Sequence, residues 1–109
     1  MVNKTLSAEQ LRLIAHRFKA LAEPSRLEIL NALRPGEQTV SEILEVTGLS
    51  QANVSRHLQV LHAAGFVDRR KDGVATRYRL ADTDVLKLCD LVCGRLEREV
   101  AATRKLFEG

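Results

Sequence analysis

The sequence predicts a mainly α domain of the winged helix-turn-helix type: four helices, a two-stranded hairpin and a long last helix. Two helical segments are separated by only a glycine and a leucine, the tight connection of a helix-turn-helix. An Asp-Gly pair then sits between two arginine-rich runs of strand-like composition, one of the strongest short hairpin signals. The remaining residues return to a helical period and stay in it almost to the end. At 109 residues the chain is read as one domain over 1–109, near the lower size at which a single core suffices, so subunit contact would add useful burial.

Each element has its own local signal. Ser7-Ala8-Glu9-Gln10 is a capping box, in which serine and glutamine satisfy each other's backbone N–H groups. Leu11, Ile14, Ala15, Phe18, Leu21 and Ala22 continue it as the stripe of a first helix. Pro24 suits the first position of a second helix, where its missing N–H costs nothing. Leu27, Leu30 and Leu33 are expected to face the core, and Pro35-Gly36 to end the helix. Thr39-Val40-Ser41-Glu42 is a second capping box, with Ile43 and Leu44 inward and Gly48 as a left-handed stop. Ser50 caps a fourth helix that buries Val54, Leu58 and Leu61 and closes at Gly65. If Asp72-Gly73 are the two turn residues of the hairpin, Val67 lies opposite Tyr78 and Asp68 opposite Arg77. Asp82 or Thr83 caps the last helix, which runs to about Phe107. Its apolar positions Val85, Cys89, Val92, Leu96 and Val100, widened by Leu88, Leu91 and Cys93, exceed what one small core covers and suggest a subunit seam.

Composition narrows the function classes. The net charge is only +3, yet between Ser50 and Arg79 six basic residues face two acidic ones. A local basic stripe on a near-neutral body is the footprint of a phosphate-binding face. Phe18, Phe66, Phe107 and Tyr78 are the whole aromatic set, without tryptophan, too few for the stacking platforms of single-strand binders. Met1-Val2-Asn3-Lys4-Thr5 carries no signal-peptide core, and no run approaches the ~20 apolar residues that span a bilayer. Two cysteines four residues apart are not a disulfide framework, so a cytoplasmic, reducing location is expected. No phosphate-cradling glycine loop, nucleophile–base pair or open metal cluster is present, and an enzyme is not expected.

With Val54, Leu58 and Leu61 inward, the fourth helix presents Ala52, Arg56, Gln59 and Ala63, flanked by Asn53 and Ser55. Small residues let such a helix enter the major groove of double-stranded DNA. Arg56 can reach guanine O6/N7 or a phosphate, and Gln59 and Asn53 suit adenine N6/N7. Ser50 and Gln51 stand at the helix N-terminus, where phosphate and base edges are approached. Arg69, Arg70, Lys71 and Arg77 on the hairpin are expected to contact backbone or an adjacent minor groove, positioning more than specifying.

Three segments resemble the ArsR/SmtB regulators: Leu21-Ala22-Glu23-Pro24-Ser25-Arg26-Leu27-Glu28-Ile29-Leu30, Leu49-Ser50-Gln51-Ala52-Asn53-Val54-Ser55-Arg56-His57-Leu58, and Val60-Leu61-His62-Ala63-Ala64-Gly65-Phe66-Val67. The likeness spans about residues 10 to 82 without gaps. It implies a homodimer built on the first and last helices, a palindromic operator, and repression relieved by an inducer, often a metal ion or thiol-reactive species. The family's arsenic-type Cys-Val-Cys segment corresponds to Thr39-Val40-Ser41, so both thiolates are missing. Its zinc-type site keeps Asp82 and Asp84, but the partner positions fall on Arg95 and Arg98, a set for ion pairs rather than zinc.

Cys89 and Cys93 stay open to three readings. At i and i+4 they share a helical face, where two thiolates could hold one soft metal or metalloid ion. They could instead answer to oxidants or persulfides, or be small buried hydrophobes. No cofactor is otherwise expected. The competing class is a winged helix used as a protein-interaction module, which needs neither the polar face nor the basic hairpin. Salt separates the two, because counterion release makes DNA binding fall steeply with added salt.

Overall fold

The computed structural model describes residues 5–108. Met1, Val2, Asn3 and Lys4, read above as no leader, and Gly109 at the end of the expected domain lie outside the described residues. The elements follow as α1 (Ala8–Leu21), α2 (Pro24–Ala32), β1 (Gln38–Thr39), α3 (Val40–Thr47), α4 (Gln51–Ala63), β2 (Val67–Asp72), β3 (Ala75–Leu80) and α5 (Asp84–Glu108).

The helix starts obey their local chemistry. Both capping boxes form: the Ser7 hydroxyl accepts from the Gln10 N–H, the Thr39 hydroxyl from the Glu42 N–H, and each N3 side chain accepts from its cap residue's N–H. Before Pro24 the cap is Glu23, whose carboxylate accepts from the Ser25 and Arg26 N–H groups at 2.6 and 3.2 Å. At α5 the Asp82 carboxylate accepts from the Asp84 N–H, and the Thr83 carbonyl accepts from Leu86 and Lys87. Gly48, at φ +73°, ends α3. Ser50 restarts the chain as α4 by accepting from the Asn53 N–H. The helix-turn-helix is therefore fixed by one left-handed glycine and one serine cap.

The core is small and drawn from every layer. Ile29, Leu30 and Leu33 of the α2 region, Ile43 of α3, Val54, Leu58 and Leu61 of α4, and Val67 of β2 are fully buried, with Leu21, Tyr78 and Val85 around them. Leu27 differs from expectation: it is 38% exposed, at the edge of α2 rather than in this core.

Two features of the sheet depart from the sequence reading. The hairpin is joined by a third strand, β1, in the order β1-β3-β2, all antiparallel. The turn is also displaced by one residue: Asp72 pairs with Ala75, Arg69 with Tyr78 and Arg70 with Arg77, leaving Gly73 and Val74 as the turn. An Asp72-Gly73 turn of the usual type demands positive φ at the aspartate. With Gly73 first, only the glycine is left-handed, at φ +65°, and Val74 is spared that strain. The displacement changes partners by two, so the same residues still share each face.

Much of the apolar stripe on the outer helices is uncovered in the single chain. Leu11 and Phe18 of α1 and Val92, Leu96 and Val100 of α5 are each more than half exposed. Of α5, Val85 alone is buried among the described residues. Between α1, α2 and α5 runs an apolar groove of about 470 Å³, lined by Phe18, Leu21, Leu27, Leu88, Val92, Leu96 and both cysteines.

Candidate nucleic-acid interface

Helix α4 has two chemically opposite sides. Val54, His57, Leu58 and Leu61 are buried, while Gln51, Ala52, Asn53, Ser55, Arg56, Gln59 and Ala63 are exposed. The expected recognition residues thus share one helix and its open face. Arg56 Nη2 donates to Asn53 Oδ1 at 2.9 Å, one turn back, which extends the guanidinium along the helix. Ser50 spends its hydroxyl on the cap.

Beneath this helix lies a polar contact that sequence reasoning did not single out. His57 is 5% exposed, and its Nδ1 lies 3.3 Å from Arg26 Nη1. Arg26 also donates through Nε to the Ala20 carbonyl at 2.6 Å and through Nη2 toward that of Lys19. One guanidinium therefore ties the end of α1 and the start of α2 to α4. Burial holds the imidazole pKa below its ordinary 6.5, against the opposing pull of the Glu23 carboxylate 3.9 Å from Nε2. A neutral ring with Nδ1 accepting suits this site. Arg26 sits inside the Glu-Pro-Ser-Arg segment, but nothing in its spacing announced a partner 31 residues on.

The hairpin is the wing, and its cations divide by face. Arg70 donates to both carboxylate oxygens of Glu37, Nε to Oε2 at 2.9 Å and Nη2 to Oε1 at 2.7 Å. Arg77 Nε donates to Asp72 Oδ2 at 2.7 Å, with Glu42 3.9 Å from its Nη1. Arg79 lies 3.8 Å from Asp68. The register places Asp68, Arg70, Asp72, Arg77 and Arg79 on one face of the sheet. The Arg70 guanidinium holds the Glu37 carboxyl below its usual range, and Arg77 does the same to Asp72. On the other face Arg69 and Lys71, opposite Tyr78 and Thr76, are exposed and have no ion-pair partner among the described residues.

The two thiols are in different surroundings. Cys89 is half-buried and Cys93 exposed. Cys93 Sγ lies 3.6 Å from Glu97 Oε1, and that carboxylate pushes the thiol pKa up. Arg34, which pairs with Asp90 at 2.9 Å, pulls it weakly the other way. No group of three or more His, Cys, Asp or Glu converges on a metal-sized site among the described residues. Nor is any described helix long and apolar enough to cross a membrane.

A profile described as "Bacterial regulatory protein, arsR family" matches residues 23–69, from the α2 cap into the wing. The regulator NmtR of Mycobacterium tuberculosis is 39% identical over 85 residues, 78% of this chain and 71% of that protein. The chain belongs to the ArsR family. Within this family it is also similar to the "Probable mercury resistance operon repressor" of Streptomyces lividans, 43% identical over 74 residues, 68% of this chain. The chain spans 59% of that repressor's length. Among solved structures it resembles a homodimeric winged helix-turn-helix DNA-binding domain from Mycobacterium bovis, described as "a possible ArsR-family transcriptional regulator". That likeness has a TM-score of 0.76 at 35% identity and covers 92% of this chain and 94% of the other. The ArsR chain described here is thus a winged helix-turn-helix protein, with α3 and α4 as the helix pair and β2–β3 as the wing.

Proposed function

We propose that this ArsR-family chain is a transcriptional repressor that acts in the cytoplasm as a homodimer on a palindromic double-stranded DNA operator. The observation that carries this is the exposed polar face of α4, held by a glycine stop and a serine cap. In this reading Arg56, Gln59 and Asn53 meet base edges, and Gln51 and Ser55 meet base edges or phosphate near the helix N-terminus. Ser50 holds the helix end at the phosphates through its cap. Arg69 and Lys71 supply the wing's phosphate contacts, while Arg70 and Arg77 reach DNA only by leaving their carboxylates. The uncovered stripe of α1 and α5 supports pairing through those helices, which spaces two recognition helices about one DNA turn apart.

The inducer we propose is a soft metal or metalloid ion, or a thiol-reactive species, acting at Cys89 and Cys93. Their position in the apolar groove beside α1 supports this reading, since a ligand there would reshape the seam. The raised Cys93 pKa requires the inducer to displace a proton as it binds.

The test is binding to duplex DNA selected from a random pool, with and without Hg(II), Cd(II), arsenite or a persulfide donor. The unchanged protein and the Cys89→Ser/Cys93→Ser variant are run side by side. Steeply salt-dependent binding, released by one of these in the unchanged protein alone, supports both parts. Salt-insensitive or absent DNA binding overturns the repressor, and release that persists in the variant overturns the thiol site.

A further inference from the structure

We propose that Glu37 and Arg70 form a strut that sets the pose of the wing against the helix-turn-helix, which makes both positioning residues for DNA binding. Arg69 and Lys71 are then the wing's phosphate-binding cations. The inference rests on the DNA-binding reading above and adds residues to it.

The geometry runs across the sheet. Glu37 immediately precedes β1, β3 lies in the middle, and Arg70 is on the outer strand β2. Neighbouring strands are about 4.8 Å apart, so the pair bridges roughly 10 Å over the central strand. Long side chains are needed to meet across that gap, and a guanidinium offers two parallel N–H donors that match the carboxylate oxygens, a planar fork that an ammonium lacks. Both bonds are made, at 2.9 and 2.7 Å. A two-stranded hairpin is marginal by itself, and β1 adds only the pairs Gln38–Tyr78 and Thr39–Arg77. The strut therefore braces the outer strand directly against the segment leading into α3. Thr39, the last residue of β1, is also the α3 cap, so a brace at Glu37 is a brace to the first helix of the motif.

The competing role is a mask, in which Glu37 shields Arg70 until a phosphate displaces it. The two differ in sign. Removing the Glu37 charge raises the net charge, so an unmasked Arg70 binds DNA more tightly, whereas a lost strut weakens binding despite the added charge.

The test measures anisotropy of a labelled duplex, selected by the unchanged protein from a random pool, across a salt series. Four single variants are compared: Glu37→Gln, Arg70→Lys, Arg70→Gln and Arg69→Gln, with the Glu37→Gln/Arg70→Gln pair. For a strut, the Glu37 and Arg70 variants each weaken binding roughly two- to fivefold, the range an exposed pair can supply. The double variant is no worse than either, and the dependence of log K on log salt keeps its slope. Arg69→Gln instead makes that slope shallower by about one. Tighter binding by Glu37→Gln overturns the strut. So does an Arg70→Gln slope shallower by one with Arg70→Lys close to the unchanged protein. Failure of the unchanged protein to select any duplex overturns the DNA-binding reading and the strut with it, a result separable from both.

Discussion

His57 and Arg56 are adjacent in sequence and opposite in role. Arg56 is exposed, on the face proposed to meet DNA, and His57 is buried beneath the helix that carries it. Because burial lowers the folded-state pKa of His57 below 6.5, the unfolded chain takes up a proton first as pH falls. Stability is therefore full above about pH 6.5 and declines from there down to the folded pKa. Denaturant midpoints between pH 7.5 and 5 should show this decline, and His57→Gln should flatten it. For recognition, Arg56→Ala should cost about 1–3 kcal/mol on the preferred duplex and less on random DNA, relaxing preference at one base pair. Competition between selected and random duplexes reads that difference. At this scale residue types were legible and partners were not. All the nominated residues of α4 are exposed, as the 3.6-residue period requires. The pairing of Arg70 was hidden because Glu37 lies 33 residues away, outside any local pattern.

The elements whose ends carry a chemical signal were read correctly, and the exceptions had weak or shared signals. Strand β1 is only Gln38–Thr39, too short for an alternating pattern, and its second residue already serves as a helix cap. The Glu23 cap was missed because a longer acid replaces the usual Ser, Thr, Asp or Asn. The wing turn was misplaced by one residue because Asp-Gly and Gly-Val both satisfy a two-residue turn, and only the φ cost at Asp72 decides. Gly73→Ala should therefore destabilise the wing by roughly 1–2 kcal/mol, because an L residue is strained there, whereas Val74, fully exposed, tolerates a polar substitution. Amide exchange in β2 and β3 measures both. A slower rate in the Gly73 variant would contradict the turn assignment.

For the whole molecule, the apolar surface left over is more telling than the core. The seam was legible as an apolar spacing of threes and fours along α5. That a second copy covers it came from the family resemblance and not from the spacing, because an apolar stripe does not state its own stoichiometry. If a second copy does so, Leu96→Asp should shift sedimentation from dimer to monomer and weaken binding to a two-half-site duplex at least tenfold. A half-site duplex should be affected far less, since linked sites gain from effective concentration. Leu58→Ala offers the contrast: a fully buried residue whose loss should cost about 2–5 kcal/mol of folding stability, measurable by chemical denaturation.

The minor strand β1 has a consequence in time. Gln38 must wait for Tyr78, and Thr39 for Arg77, so each pairing is about forty residues in the making. At ribosomal speeds of about 5–20 residues per second, that gap lasts about two to eight seconds. By its end the residues of α2, α3 and α4 have all been synthesised, and their contacts with one another close shorter stretches of chain than the pairing of β1 with β3 does. Until then Gln38 and Thr39 have no strand to pair with, and the entry to α3 rests on its own capping box. The approach to the helix pair is thus completed only by a strand that arrives from downstream.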